Sequence, residues 1–419
     1  MPKLRAGSLL ANARHNDGDC HIWRRPICIM AWLFPAAQGP RCLADEYAGK
    51  FETGASAPVT PHLKFLDGLR GIAALYVVIH HSCQASYVGL EMPGGLFFLR
   101  WGRAAVTIFI AISGYCLGLP VVRAGFTLRG GTLHFYGKRA RRILAPYYVA
   151  LAAGIAMCVF LLTPAGLRLA WLSNPFIIRA IIAHIFMVHN WSPNLAYMFN
   201  GPLWSVATEV QIYLIFPSMV LLWRRWGSIY MLICFFVASH LALYLSGHRG
   251  SINYLFVFAL GAYAAERSLD ERHLRALKIT FYICLIGFLA LPDVKEVYQD
   301  LIVGVGISCM MTLCARSNFW PRAVLSLRLF TWLGGFSYSI YLIHAVIQTI
   351  YLDTRIGLLP RFPPGPLRLL FMCFGLTPII LGLSYLFHLA VERPFMTVHK
   401  PRALCKVPEV SLQGDPRIQ

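Results

Sequence analysis

Residues 104–122 read AAVTIFIAISGYCLGLPVV, an apolar run without a single charged side chain. A helix needs about 20 mostly apolar residues to cross the hydrocarbon core of a bilayer, and this run has that length. The stretch therefore predicts a membrane-spanning helix. It also sets the scale on which the remaining apolar runs are interpreted.

The composition of the whole chain is that of a membrane protein. Of its 419 residues, 57% are apolar and only 13% are charged, whereas about a quarter of a soluble domain is charged. This balance excludes a disordered chain, a coiled coil and an ordinary cytosolic enzyme. A net charge of +20 would favour nucleic acid as the partner of a soluble protein. In a membrane protein it reflects where the charges stand, so we expect a lipid bilayer and no nucleic acid as the partner.

The apolar runs predict an all-α, polytopic membrane protein with about ten transmembrane helices in one bundle. The predicted spans lie near residues 71–88, 104–122, 142–163, 203–223, 228–246, 252–266, 279–292, 300–315, 329–351 and 367–391. An eleventh apolar stretch, 177–189, is shorter and contains Arg179, His184 and His189. We interpret it as re-entrant or interfacial, because it is too short to span.

The placement of basic residues tests this count. If residues 1–70 are cytoplasmic and the spans alternate, 29 of the 38 Lys and Arg residues fall on the cytoplasmic side. This is the positive-inside pattern, and counting 177–189 as a span would destroy it. We therefore expect both termini in the cytoplasm. Residues 1–60 are expected to be a poorly ordered leader, 61–397 the transmembrane domain, and 398–419 a polar tail too short for a further domain.

Ionisable groups inside a membrane are costly, so each one is a candidate functional residue. Arg70 and His81 are 11 residues apart, which on a helix is about 20° beyond three turns and a rise of about 16 Å. They therefore share a face, and Asp67 stands within pairing reach of Arg70. The alternative is a snorkelling arginine and a hydrogen-bonded core histidine.

Two further helices are predicted to carry a polar stripe. Glu209 alone among the 18 carboxylates falls well inside an apolar run, while Asp67 and Glu392 stand at span ends. The polar positions of each stripe recur at helical spacing and share a face. The stripes consist of Ser205, Glu209 and Tyr213, and of Ser337, Tyr341 and His344. Structural ion pairs or interhelical hydrogen bonds would explain the same pattern.

A basic cluster opens the third predicted span. The cluster reads Lys138-Arg139-Ala140-Arg141-Arg142, and the apolar sequence that follows it reads Ile143-Leu144-Ala145-Pro146-Tyr147-Tyr148. The cluster could anchor the topology at anionic lipid, or its arginine forks could bind phosphate oxygens. No CxxC pair or HExxH motif occurs, so we expect no metal site. The GxSxG motif of a nucleophilic serine is also absent.

In this order, these residues resemble the acyltransferase-3 family of integral-membrane acyltransferases. The resemblance covers about residues 65–397 and rests on six motifs in sequence. The first motif is 66–75 together with His81, the second is Phe109–Tyr115, and the third is Lys138–Tyr148. The fourth consists of Trp204-Ser205, Glu209, Tyr213 and Pro217. The fifth consists of Ser337-Tyr338, Tyr341 and His344, and the sixth is Val391–Phe395. The second motif departs from the family at Ile110 and Ile112, and the third at Ala145.

The resemblance implies transfer of an acyl group, often acetyl, from acyl-CoA to a hydroxyl of a sugar or other small acceptor. By matched position His81 is the family's expected catalytic base. Burial at mid-membrane disfavours its charged form, which keeps the imidazole neutral and available to take a proton. Arg70 and Glu209 are expected to be catalytic residues as well, with Arg70 holding the CoA side and Glu209 shaping the site or balancing its charge. The CoA phosphates would be bound by Arg139, Arg141 and Arg142. The site would be shaped by Ser113, Trp204, Ser205, Tyr338, Tyr341 and His344. Acyl-CoA is expected as a co-substrate, with no bound cofactor.

A multi-span transporter of a small polar or acylated metabolite is the alternative, since midplane polar residues are equally natural there. The absence of an inverted repeat weighs against it. The sequence leaves open the acceptor, the acyl chain length, the oligomeric state and the membrane. It also leaves open whether Asn190, in the sequon Asn190-Trp191-Ser192, is glycosylated.

Overall fold

The protein is described by a computed structural model. The structure describes residues 63–87, 89–245, 253–270, 273–291, 294–352 and 362–396. The predicted leader at 1–60 and the predicted tail at 398–419 lie outside these residues. Helices and no strands are found in the described part of the chain. The expectation of an all-α protein is therefore confirmed there.

All ten apolar runs are helical where the structure describes them, and the run at 329–351 forms two helices. The main helices, numbered in chain order, are α1 Lys64–Ser86, α2 Gly102–Arg123, α3 Gly131–Ala156, α4 Pro175–Ile185, α5 Leu203–Trp226, α6 Ser228–Leu245, α7 Tyr254–Arg267, α8 Leu274–Ala290, α9 Glu296–Arg316, α10 Arg328–Gly335, α11 Ser337–Leu352 and α12 Pro366–Phe395. A π-helical segment, Met157–Leu162, continues α3, and two more π-helical segments lie within α12.

Among the described residues, six helices are long and apolar enough to cross a membrane: α2, α3 with its continuation, α5, α6, α9 and α12. The pair α10 and α11 would make a seventh span, although its two parts meet at an angle of 72°. The remaining predicted spans fall short for visible reasons. α7 has only 14 residues and α8 only 17, while α1 carries Asp67, Arg70, His80 and His81. The helices are those of a multi-pass membrane protein, with six or seven clear spans.

Glycines let α1 and α10 touch backbone to backbone. A Cβ atom at Gly71 would lie 2.2 Å from the carbonyl oxygen of Phe330, and one at Gly334 would lie 2.0 Å from that of Asp67. Without side chains at these positions the two helices approach far more closely than usual, as small residues allow in membranes. The glycines of the first motif therefore fix the packing beside Arg70.

A second glycine contact joins α2 to α7. A Cβ at Gly114 would lie 2.1 Å from the Phe258 carbonyl oxygen, and one at Gly261 would lie 2.0 Å from that of Ala111. The contact places Ser113, which neighbours Gly114, at a fixed point in the bundle. The Ser-Gly pair of the second motif thus has a packing role as well as a polar one.

The stretch predicted to be re-entrant or interfacial forms the short helix α4. With 11 residues it rises about 16 Å, roughly half of a bilayer's hydrocarbon thickness. The hydroxyls of Tyr147 and Tyr148 donate to the carbonyl oxygens of His184 and Ile185, each at 2.8 Å. Because the last carbonyls of a helix lack partners within it, these two bonds cap the end of α4 and hold it against α3.

Candidate active site

Three cavities lie in series beside α1. The central cavity has a volume of about 300 Å³. Its polar lining consists of Arg70, Ser113, Cys116, Arg139, Arg142, Ser205, Glu209, Tyr213, Ser337, Tyr338 and Tyr341. Both predicted polar stripes therefore contribute to it, through Ser205, Glu209 and Tyr213 on α5 and through Ser337 and Tyr341 on α11.

The basic cavity lies toward the start of α1 and has a volume of about 640 Å³. Four cations line it: Lys64, Arg70, Arg142 and Arg328. Two carboxylates, Asp67 and Glu392, and several small polar residues complete the wall. The excess of positive charge makes this cavity suited to an anion such as a phosphate.

The histidine cavity lies toward the end of α1 and has a volume of about 760 Å³. His80, His81 and Gln84 line it from α1. Its other walls are aromatic and polar, with Trp101, Arg103, Tyr197, Trp204, Phe288, Asp300, Tyr341 and Gln348 among the lining residues. It is the largest of the three cavities and the only one that His81 lines.

The cavities share side chains where they meet. Arg70 and Arg142 line both the basic and the central cavity, so the two cavities adjoin at a pair of guanidinium groups. Val106 and Tyr341 line both the central and the histidine cavity. The series thus runs from cations at one end of α1 to histidines at the other.

Arg70 links α1 to α2. Its Nη1 donates to Asp67 Oδ1 at 3.4 Å, and its Nη2 donates to the Sγ atom of Cys116 at 3.1 Å. The predicted pairing with Asp67 is therefore present, and the thiol contact is one that no sequence pattern indicated. These contacts aim the guanidinium at the boundary between the basic and central cavities.

Glu209 is held by two hydroxyl groups in the central cavity. Ser113 Oγ donates to Glu209 Oε1 at 2.8 Å, and the Tyr213 hydroxyl donates to the same oxygen. The two hydroxyls also contact each other. Arg139 interacts electrostatically with this carboxylate and lines the same cavity. Glu209 is the only carboxylate among the described lining residues of the central cavity, which has three arginines.

The contact with Gln84 favours one tautomer of His81. Nδ1 lies 3.0 Å from Gln84 Oε1, and because an amide oxygen only accepts, this contact favours the proton on Nδ1 and a lone pair on Nε2. His344 stacks on the His81 ring with centroids 5.4 Å apart, and its own Nδ1 donates to the Ile340 carbonyl oxygen at 3.0 Å. His344 is fully buried, and its Nε2 has no hydrogen-bond partner among the described residues.

The remaining predicted site residues are divided among the cavities. Tyr341 bonds to Ser205 at 2.6 Å, and Tyr338 donates to the Ile143 carbonyl oxygen at 3.1 Å. Trp204 faces the histidine cavity. Arg141 is exposed and lines none of the three cavities, so the structure separates it from Arg139 and Arg142.

Comparison with known sequences identifies the family of this chain. Residues 63–388 match the acyltransferase-3 family, an acyltransferase domain. The chain belongs to the acyltransferase-3 family. This acyltransferase-3 domain covers most of the described helices, from α1 through the greater part of α12.

Relatives of this acyltransferase-3 chain are similar at low identity. The peptidoglycan O-acetyltransferase OatA of Listeria monocytogenes is 23% identical over 68% of this chain and 49% of its own length. A putative O-acetyltransferase of Staphylococcus aureus is 24% identical over 79% of this chain and 56% of its own. The chain therefore spans about half the length of these curated relatives. An O-acetyl transferase of Shigella phage Sf6 is 24% identical over 80% of this chain and 97% of its own length. No solved structure matches.

Glu209 alone lies well inside an apolar run, but it is not the most buried carboxylate among the described residues. Asp300 and Glu392 are each 2% exposed and Glu266 is 6% exposed, whereas Glu209 is only half-buried. These carboxylates stand at the ends of apolar runs, where the sequence places the membrane boundary. The structure buries them because neighbouring helices extend past them and supply hydrogen-bond donors.

Asp300 forms the largest polar cluster that the acyltransferase-3 motifs do not include. Its carboxylate accepts from Arg103 Nη2 at 2.8 Å, from Thr107 Oγ1 at 2.6 Å and from Asn253 Nδ2 at 2.7 Å. Arg103 also pairs with Glu296 at 2.8 Å. The sequence held one signal for this cluster, since Arg103 and Asp300 both stand at span ends predicted on the same side.

Glu392 and Asn190 are likewise engaged. Glu392 Oε2 accepts from Ser339 Oγ at 2.6 Å and pairs with His388 Nδ1 at 2.8 Å, which ties α11 to α12. The side chain of Asn190 is buried and exchanges amide hydrogen bonds with Gln211, so the sequon is structural in this fold. No cluster of three or more metal-ligating side chains is found in the described ranges.

Proposed function

We propose that this chain is a membrane-bound acyltransferase that moves an acetyl or other short acyl group from acyl-CoA to a hydroxyl of a carbohydrate or other small acceptor. One observation carries the proposal: a series of three cavities joins four cations at one end of α1 to His81 at the other. The family and the names of its relatives, which are O-acetyltransferases, support the same reaction class.

The donor would lie along α1. The basic cavity offers Lys64, Arg70, Arg142 and Arg328 to the CoA phosphates, with Arg139 one step further in. Arg70 and His81 are separated by about 16 Å along the helix axis. The pantetheine arm of CoA separates its phosphates from its thioester by a comparable distance. A CoA bound by the arginines can therefore present its thioester near His81.

His81 would act as the general base. Its Nε2 lone pair takes the proton of the acceptor hydroxyl while the hydroxyl oxygen attacks the thioester carbonyl carbon. The carbon–sulfur bond breaks, and the CoA thiolate leaves and takes the proton back from His81. The products are an ester and CoA with a free thiol, so the enzyme is unchanged. Gln84 holds Nδ1–H and thereby keeps Nε2 available.

Glu209 would balance the three arginines of the central cavity. An empty cavity with Arg70, Arg139 and Arg142 alone would hold three positive charges close together. The carboxylate lowers that repulsion, and the Ser113 and Tyr213 hydroxyls keep it in place. We assign Glu209 to this supporting role in the donor path, since it does not line the cavity of His81.

We further propose ten spans in one bundle with both termini in the cytoplasm. The positive-inside bias of the loops then puts the basic cavity on the cytoplasmic side, where acyl-CoA is made. The histidine cavity would open toward the other side. Its aromatic walls and polar groups suit a sugar ring, in keeping with the peptidoglycan named for the Listeria relative.

Purified full-length protein in lipid nanodiscs, given acetyl-CoA, tests the reaction. The readouts are CoA binding and the release of free CoA thiol with water as acceptor. We expect His81→Ala to lower thiol release about 100-fold or more while CoA still binds, since general-base catalysis contributes that much. His240→Ala is the matched control, because His240 is a helix histidine that lines none of the three cavities.

Two outcomes would overturn the proposal. The first is a wild-type protein that binds no CoA and releases no thiol. The second is thiol release that is equal in the wild type and in His81→Ala. Movement of a solute across proteoliposomes that His81→Ala leaves intact would instead favour the transporter.

A further inference from the structure

Two side chains mark the boundary between the central and the histidine cavity. Of all the side chains that line these two cavities, only Val106 and Tyr341 line both. Both are nearly buried, with exposed fractions of 6% and 7%. Val106 on α2 and Tyr341 on α11 therefore stand where the two cavities meet, and they form the constriction that a molecule passing from one cavity to the other would encounter.

The Tyr341 side of the constriction is held in place. Ser205 Oγ donates to the Pro202 carbonyl oxygen at 3.1 Å, so the Tyr341 hydroxyl is the donor in its 2.6 Å bond to Ser205. The Tyr341 ring also meets Phe109 edge-on, with centroids 5.7 Å apart. A hydrogen bond at the tip and an aromatic contact at the ring together fix the side chain.

The Val106 side is equally fixed. The next residue, Thr107, donates to the buried Asp300 carboxylate at 2.6 Å, and Arg103, one turn earlier, pairs with the same group. These bonds anchor this turn of α2 to α9. Because β-branched valine has few side-chain conformations in a helix, Val106 has little freedom to move aside.

On the proposed function, only the donor crosses this constriction. The acceptor reaches His81 from the histidine cavity, whereas acyl-CoA comes from the basic cavity with its acyl group leading. The acyl group must therefore pass between Val106 and Tyr341 before the thioester reaches His81. A longer acyl chain meets two fixed side chains at this point.

We propose that Val106 and Tyr341 set the acyl chain length that the enzyme accepts, by admitting short acyl groups to His81 and excluding longer ones. This inference rests on the proposed function and goes beyond it, because it assigns donor selectivity to two named side chains. Neither side chain takes part in the chemical step.

Turnover of acetyl-, butyryl- and hexanoyl-CoA by the purified full-length protein tests the inference. Val106→Ala removes two methyl groups from the constriction, and Tyr341→Phe removes the bond to Ser205. For each we expect the ratio of kcat/KM for butyryl-CoA to that for acetyl-CoA to rise about tenfold, the scale on which a pocket distinguishes methylene groups. Val106→Leu should lower turnover of acetyl-CoA itself.

Val122→Ala is the matched control. Val122 lies on the same helix and is 1% exposed, but it lines none of the described cavities. It should leave the donor ratio unchanged. Monodispersity on size exclusion, checked for every variant, separates altered selectivity from misfolding.

The outcomes distinguish the two proposals. If the wild type shows His81-dependent turnover but Val106→Ala and Tyr341→Phe keep its donor ratio, the two side chains do not set donor selectivity and the proposed function stands. If the wild type shows no His81-dependent turnover of any donor, the proposed function fails and the constriction has no donor to select. A raised ratio in both variants, with Val122→Ala unchanged, supports the inference.

Discussion

Asp300 and Glu209 are carboxylates on two apolar helices of the same chain, and their surroundings differ. Asp300 is 2% exposed and accepts hydrogen bonds from an arginine, a threonine and an asparagine. Glu209 is half-buried, accepts from two hydroxyls on one oxygen, and stands in a cavity with three arginines. Both carboxylates stand at the wall of a cavity, but Asp300 is almost completely covered by its partners, whereas Glu209 stays half-exposed to a space that a ligand could enter.

The contrast indicates different roles. A buried charge with several matched donors joins helices, because removing one partner leaves the others unpaired in a low-dielectric interior. A carboxylate held by hydroxyls at the wall of a cavity contributes to the charge of that cavity. We therefore expect Asp300 to matter most for stability and Glu209 most for activity.

The largest expected effect is on stability at Asp300. Asp300→Ala should lower the free energy of unfolding by about 3 kcal/mol, since it leaves Arg103, Thr107 and Asn253 without their shared acceptor. Thermal unfolding in detergent measures the loss. Glu296→Gln is the control, because its side chain is 68% exposed and its bond to Arg103 should contribute less than about 1 kcal/mol. Equal effects of the two changes would contradict the distinction.

The next effect is on activity at Glu209. Glu209→Gln keeps an oxygen for Ser113 and Tyr213 but removes the charge that balances the arginines. We expect kcat/KM for acetyl-CoA to fall about tenfold, which corresponds to about 1.4 kcal/mol. The free energy of unfolding should change by no more than about 1 kcal/mol. A variant that unfolds as readily as Asp300→Ala while its folded fraction keeps full activity would show that Glu209 is structural.

The smallest effects are expected at the hydroxyls that hold Glu209. Ser113→Ala and Tyr213→Phe each remove one hydrogen-bond donor to a carboxylate. We expect each change to lower the free energy of unfolding, or to raise the activation free energy of acyl transfer, by about 1 kcal/mol. In the Glu209→Gln background the same changes should have less effect, because the charge that they position is gone. A full additive loss in the double variants, measured by thiol release, would mean that the hydroxyls act independently of Glu209.

The sequence predicted the helices and one wall of the site well. Every apolar run forms a helix, and the spacing of Ser205, Glu209 and Tyr213 correctly predicts that they share a face. Periodicity within one helix is a local property, so it can be read from a single segment. The number of spans is less accessible, because α7 is short and α10 and α11 meet at a bend.

Contacts between distant helices could not be predicted. The stacking of His344 on His81, the thiol of Cys116 at Arg70 and the burial of Asp300 each join segments far apart in the chain. The spacing of Arg70 and His81 predicts that they share a helix face. The two side chains nevertheless line different cavities, which are separated by Val106 of α2 and Tyr341 of α11. Such positions follow from packing, which a single sequence does not specify.

The glycine contact between α1 and α10 has a mechanical consequence. Where the Gly71 and Gly334 positions press directly on the opposing backbone, neither helix has side chains to slide on. Sliding of α1 past α10 is therefore opposed by the two backbones themselves. After the 72° bend, α11 returns to α1, where Gln348 donates to the Val78 carbonyl oxygen at 3.1 Å and to Ser82 Oγ at 2.9 Å. The helix that carries Tyr341 and His344 is thus braced against the helix that carries Arg70 and His81 at two places along its length.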